Sequence, residues 1–162
     1  MDCTHIPEIS CFYSDTIASH ILNPSAHFEY EMILVTDGSA QVQIHDRTYP
    51  LQRGSLLFIS RLEQHQFCIV KEPYCRYVLS VSSDLLLSHL NEPRLASIFM
   101  QRPEYFSHVV QLNEEQLAYF LPFFQKSADE YEKQPDFYTL QSIAMLLSIL
   151  ISLYRLYPNA FP

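Results

Sequence analysis

Four side chains in this sequence have the types and spacing to act at one place: His27, Glu29 and Glu31 in one short run, and His65 further on. Imidazole and carboxylate together can share a proton, hold a metal ion, or hydrogen-bond a polar ligand. Strand alternation places His27, Glu29 and Glu31 on the same side as Ile33 and Val35, the side a sheet would bury. Ionisable groups on such a face are costly unless they pair, bind a metal or meet a ligand. The same alternation in a later strand groups His65 with Phe67, Ile69 and Tyr77. The predicted ligand-binding set is therefore His27, Glu29, Glu31, His65, Phe67 and Tyr77. Aromatic walls with a few convergent polar groups suit a small polar ligand such as a sugar. No Arg or Lys falls on the expected inner faces of the 27–36 and 65–71 strands to neutralise an anion.

Two other readings of these residues compete. His27, Glu31 and His65 are ligand types for a transition metal. On an unbroken strand, however, His27 and Glu31 would lie roughly 13 Å apart, too far for one ion; a bulge at Phe28–Tyr30 would close the gap, although no Gly marks one. His65 could instead be a core histidine bonded to Glu31 or Glu29. Nucleophilic catalysis has no support: there is no Gly-x-Ser-x-Gly, and Cys68 has the opposite parity to His65. No catalytic residue and no cofactor is assigned.

The elements that would position these groups are short strands. An arm, residues 1–26, carries strand-like pieces at 11–13 and 16–21. Strands are predicted at 27–36, 39–45, 47–51, 55–60, 65–71 and 75–82, separated by Asp37-Gly38, Asp46, Arg53-Gly54, Glu63-Gln64 and Glu72-Pro73. Asp37-Gly38 reads as a two-residue hairpin turn, setting Ile33 opposite Val42 and Glu31 opposite Ile44. Beyond Ser83 the period becomes helical. Short helices are predicted at 84–91 and 93–101, the latter opened by Pro93. A third starts at the Asn113–Gln116 capping box and runs to Lys133. A last one, capped by Asp136, ends before Pro158.

The order of these signals resembles a known family. Cupin barrels carry His-x-His, three or four residues, Glu, six residues, Gly; here the positions read Ser25, His27, Glu31 and Gly38. In the second cupin motif Gly54 and His65 fit, while Ser60, Leu62 and Ile69 replace its Pro, second Gly and Asn. The variant is similar to the sensor domain of AraC-type transcription regulators. Gly54-Ser-Leu-Leu-Phe-Ile59 and Ser82-Ser-Asp-Leu-Leu86 add to the likeness, which covers about Ile21 to Tyr157. It implies a mainly β fold, a cupin-like jelly-roll barrel (1–83, with the arm), followed in the same single domain by a helical dimerisation segment (84–162). It also implies a small-molecule effector, a homodimer, and DNA contact only through a C-terminal helix-turn-helix domain that this chain lacks. The alternative from the same resemblance is a small metal-dependent cupin enzyme, a dioxygenase or isomerase, with His27, Glu31 and His65 as ligands. Ser25 at the first histidine position ligates weakly and argues against it.

Composition and the last helix agree with the sensor reading. Net charge is −8, with 10 Lys+Arg against 18 Asp+Glu, so the chain lacks the basic cluster that DNA binding by itself would need. With no C-x-x-C and no secretory signal pattern, the four cysteines read as free thiols of a cytoplasmic protein. The 140–156 run is too interrupted by polar residues for a membrane span. Its apolar arc spans roughly 240°, more than one buried face requires. Either the helix is sandwiched within the monomer, between the 113–133 helix and the barrel, or it also meets a second chain. The expectation is a two-fold interface along Leu140, Ile143, Ala144, Leu147, Ile151 and Tyr154, with Leu146, Ile149 and Leu153 facing the barrel or the preceding helix.

Overall fold

The computed structural model describes residues 7–16 and 24–162. Its strands are β1 (Ile9–Thr16), β2 (Tyr30–Ile44), β3 (Arg47–Gln52), β4 (Ser55–Ile59), β5 (His65–Val81) and β6 (Val109–Gln111); its main helices are α1 (Ser83–His89), α2 (Pro93–Ala96), α3 (Glu114–Lys133) and α4 (Tyr138–Leu156). The six strands form one antiparallel sheet in the order β1-β5-β2-β4-β6, with β3 on the far half of β2.

β2 and β5 are unusually long and pair along almost their full lengths, with register shifts between Val35 and Ala40. Bending there lets the sheet curl on itself. One face then encloses Ile33, Val35, Val42, Ile44, Leu57, Ile59, Ile69 and Tyr74 as a barrel interior. The other face carries Met32, Leu34, Leu56, Phe58 and Leu79, covered by α3 and α4 through Phe120, Phe124, Leu146, Ile149 and Leu153. β4 has apolar cover on both faces, and Ser55–Ile59 is buried throughout. Burial on both sides is why that strand reads as a continuous apolar run.

Asp37-Gly38 is not a hairpin turn. It lies inside β2, where Gly38 takes φ +70 and a Cβ would collide with the Pro73 and Lys71 carbonyl oxygens. Only glycine lets β2 and β5 approach so closely at the bend. Ile33 therefore faces Leu57 and Val78 rather than Val42, and Glu31 faces Ile59 and Ser80 rather than Ile44. The tight turn comes later, at His45-Asp46, between β2 and β3. The expected inner faces survive because the bulge changes parity as the hairpin would have: Val35 is inside, and so are Ala40 and Val42.

Other boundaries also move. The arm pieces become one strand, β1, while the 17–23 part of the arm lies outside the described residues. The 65–71 and 75–82 strands merge into β5. The helix expected over 93–101 stops at Ala96. Asn113 caps α3 through the full capping box, as its spacing predicts. Asp136 does not cap α4: Phe137 holds that position at φ +66 without a side-chain cap. By length and composition α4 could cross a membrane. Here its apolar face, Ile143, Leu146, Ile149, Leu150 and Leu153, is buried against the rest of the fold.

Candidate functional site

The chain does not run straight into β2. It bends at Phe28–Glu29, and strand pairing starts only at Tyr30. The bend brings His27 Nε2 within 2.6 Å of Glu31 Oε1, closing the gap an unbroken strand would leave. His27 Nδ1 lies 3.1 Å from the Glu29 carbonyl oxygen, and the Leu62 N–H donates to the His27 carbonyl at 2.6 Å. The Glu29 carboxylate stands 3.8 Å from the same ring nitrogen. Contact with the Glu31 carboxylate raises the His27 pKa, against the opposing effect of burial. Nε2 is buried, with the Glu31 carboxylate beside it.

His65 is fixed on three sides. Its backbone exchanges hydrogen bonds with Ser25 in both directions, at 2.9 and 3.0 Å. Its Nδ1 donates to the Glu63 carbonyl at 2.8 Å, because a carbonyl can only accept. In the neutral ring Nε2 is then the acceptor, and the Ser25 hydroxyl lies 3.1 Å from it. The His27 and His65 rings meet edge to face at 5.1 Å. Phe67 follows at 5.7 Å from His65, and Tyr74 at 6.2 Å from Phe67. These four rings form a ladder from the barrel mouth into its interior.

Tyr77 is not part of that ladder. It pairs with Leu34, packs on Tyr13 and Phe124, and so lies on the helix-covered face. The bulged stretch between Ile69 and Tyr74 reverses the alternation of β5, so Tyr74 takes the inward place that parity assigns to Tyr77. Tyr74 is 1% exposed, burial raises its pKa, and its hydroxyl has no hydrogen-bond partner. The Arg76 guanidinium sits 4.4 Å from its ring centroid. The break at Glu72-Pro73 was the sequence signal that alternation could not be carried through.

The donor set does not fit a bound metal. Both His65 nitrogens face protein atoms, Glu63 carbonyl and Ser25 hydroxyl, and Ser25 stands where a further imidazole would be needed. Among the described residues no group of three His, Cys, Asp or Glu side chains is placed to hold an ion. His27, Glu31 and His65 are together in space, in an arrangement suited to hydrogen bonding rather than coordination.

A second polar cluster adjoins the first and was not foreseen. The Glu63 carboxylate, 9% exposed, receives the Ser60 N–H at 2.9 Å, lies 2.7 Å from His108 Nε2, and is salt-bridged to Arg102. Burial would raise the Glu63 pKa. The His108 and Ser60 hydrogen bonds and the charges of Arg102 and His108 outweigh it and hold the carboxyl at about 2. Tyr49 Oη sits 2.9 Å from His108 Nδ1, and Arg102 Nη1 donates to the Phe58 carbonyl at 3.3 Å. Nothing local in the sequence joins Glu63 to Arg102 and His108, some 40 residues later, so this network is a product of the fold.

On α4, the expected interface residues divide. Leu140 and Ile151 are exposed (56% and 38%), Ala144 is exposed, and Leu147 and Tyr154 are half-buried. Ile143 is 2% exposed and packs in the core, so it is removed from the strip. Leu146, Ile149 and Leu153 point inward.

The fold and this mouth define a ligand-binding barrel with attached helices. Residues 7–150 match the family described as the AraC-like ligand binding domain, and the chain belongs to that family. No curated protein matches it. Among solved structures it is similar to a Cupin 2 conserved barrel domain protein from Salinispora arenicola (16% identity over 51% of this chain and 70% of that one, TM-score 0.43). It is also similar to the Cnp3 cupin domain of Schizosaccharomyces pombe (9%, 52% and 64%, TM-score 0.46) and to the DMSP lyase DddQ of Ruegeria pomeroyi (16%, 47% and 39%, TM-score 0.43). The chain is a ligand-sensing domain, mainly β with C-terminal helices.

Proposed function

We propose that this chain is the effector-binding and dimerisation domain of a cytoplasmic AraC-type transcription regulator, and that its effector is a small polar molecule, for example a sugar, held inside the barrel. The observation that carries the effector site is the Tyr74 hydroxyl, buried without a hydrogen-bond partner at the inner end of an aromatic ladder whose outer end is the His27–Glu31 pair, 2.6 Å apart. An unpaired buried polar atom costs about 1–3 kcal/mol. A ligand bearing several hydroxyls could reach both ends, stack on Phe67, and donate to Glu31. Membership of the ligand-binding family supports the regulatory reading. DNA contact would come through a helix-turn-helix domain outside this chain.

The dimer would form along the outward strip of α4, Leu140, Ala144, Leu147, Ile151 and Tyr154, without Ile143. A two-fold contact is self-complementary, so one such strip serves both subunits. Two tethered DNA-binding domains then gain effective concentration on paired half-sites.

A thermal-shift screen of neutral sugars and polyols tests the effector site. A stabilising compound is expected, weakened about 10- to 150-fold by Glu31→Gln, which removes a charge-assisted hydrogen bond. Tyr74→Phe should leave the free protein as stable or more stable, because it deletes an unpaired hydroxyl, yet still weaken binding. A stabiliser indifferent to both substitutions would refute the barrel site.

A further inference from the structure

The barrel mouth opens into a pocket that the effector site does not use. Its volume is about 630 Å³, and it lies between the His45-Asp46 turn, the 60–63 loop and the 99–108 segment. This falls within the roughly 300–1,000 Å³ usual for small-molecule sites. Inorganic ions alone would leave most of it empty.

Its charges are unusual for this chain. The protein has 10 Lys+Arg against 18 Asp+Glu, yet Arg47, Arg61, Arg102 and two histidines, His45 and His108, line this single pocket. The acidic lining is Asp46, Glu63 and Glu104. Glu63 is already committed to Arg102, His108 and the Ser60 N–H. Arg47 donates to backbone carbonyls, those of Phe106 (2.8 Å) and Glu104, and among the described residues forms no ion pair with a carboxylate, although Asp46 and Glu104 lie near its charge. Arg61 is exposed, its guanidinium 5.6 Å from the Phe28 ring centroid, and no carboxylate lies within ion-pair distance of it among the described residues. His45 is exposed, 3.6 Å from Glu63. Arg47, Arg61 and His45 therefore stand around a pocket in which the buried Glu63 carboxylate is already paired with Arg102 and His108, and Asp46 and Glu104 carry the remaining negative charge. Apolar surface is present beside them in Leu62 and Pro103.

We propose that this pocket is a second binding site, for a small organic anion whose carboxylate is held by Arg61 and His45, with Arg47 adding its field, and whose carbon skeleton rests on Leu62 and Pro103. A planar guanidinium fork matches a carboxylate with two parallel hydrogen bonds, which is the recognition Arg61 is free to make. This site has the opposite preference to the barrel interior, where Glu31 and His27 favour a neutral or cationic ligand. The two are joined by one loop: the Leu62 N–H bonds His27, and the Glu63 carbonyl bonds His65.

Calorimetric titration with benzoate and succinate, and with inorganic phosphate as the compact anion, tests the site. Saturable binding of at least one carboxylate is expected, weakened about 10- to 100-fold by Arg61→Ala and also by His45→Ala. Both residues are exposed, so both variants should fold, which circular dichroism checks. Glu31→Gln should leave carboxylate affinity within about twofold. Carboxylate binding lost in Glu31→Gln but not in Arg61→Ala would move the anion into the barrel and overturn the proposal, as would no saturable carboxylate binding or saturation by phosphate alone. Because sugar binding reads through Glu31 and anion binding through Arg61, each site can fail without the other.

Discussion

Replacing Glu63 by glutamine tests how far one buried carboxylate organises the barrel mouth. Its carboxyl is held at about 2 rather than 4.5. A group whose folded pKa lies below its unfolded value contributes stability above the unfolded pKa, and loses it as pH falls through the folded one. The gap corresponds to roughly 3 kcal/mol, fully present above about pH 5 and gone near pH 2. Glutamine keeps the volume but leaves the Arg102 guanidinium, 9% exposed, without its carboxylate. Breaking a buried pair from one side costs about 3–5 kcal/mol. For a chain of this size that is about 6–20 °C in Tm. Urea unfolding of both proteins between pH 7 and pH 2.5 measures the difference. It should be near its full value at pH 7 and shrink by on the order of 3 kcal/mol as pH falls below about 5, since the other carboxylates titrate in both proteins and cancel. A difference independent of pH would show that Glu63 acts by packing rather than charge, and equal stability at pH 7 would remove the network from the account altogether.

Gly38→Ala should destabilise the barrel by about 2–4 kcal/mol in the same assay, because alanine must adopt a positive φ and its Cβ meets the Pro73 and Lys71 carbonyls; a loss under about 0.5 kcal/mol would mean the β2 bend tolerates a side chain. Leu147→Glu should leave the monomer folded while abolishing the proposed α4 dimer in light scattering; a wild-type protein that is already monomeric at high concentration would refute that interface.

The sequence carried the barrel's inner and outer faces, but not by the route it suggested. Val42 and Ile44 face inward with Ile33 and Val35 because a bulge at Asp37-Gly38 reverses parity, as a hairpin turn there would also have done. Two different backbones give one alternation pattern, and single-strand periodicity cannot separate them. The same physics misled at Tyr77, where the bulged stretch after Ile69 moved the inward aromatic to Tyr74. Alternation is dependable only between breaks, and Glu72-Pro73 marked one. Local chemistry read well: the Asn113–Gln116 capping box forms as spaced. On α4 spacing showed two apolar flanks without labelling them; the fold turns Leu146, Ile149 and Leu153 inward and buries Ile143 with them. The Glu63–Arg102–His108 network could not be read, because its members share no period and no motif.

Ser25 explains why residues in a metal-binding order need not bind one. A histidine at that position would bring a third imidazole to His27 and His65. Serine instead places its hydroxyl 3.1 Å from His65 Nε2, the nitrogen left free to accept once Nδ1 donates to the Glu63 carbonyl. His65 is thereby fixed in one tautomer and one orientation by groups from two loops. His27, by contrast, turns its buried Nε2 to the Glu31 carboxylate, 2.6 Å away. His65 is a strut held by Ser25 and Glu63, whereas His27 is held by the Glu31 carboxylate, and in the proposed effector site this pair is what a ligand would meet. Glu63 links the strut to the rest of the mouth. Its backbone holds the His65 ring, while its side chain is held by Arg102 and His108 on the segment that leads through β6 into α3. In the proposed effector site, a ligand that moved His65 would act against that network.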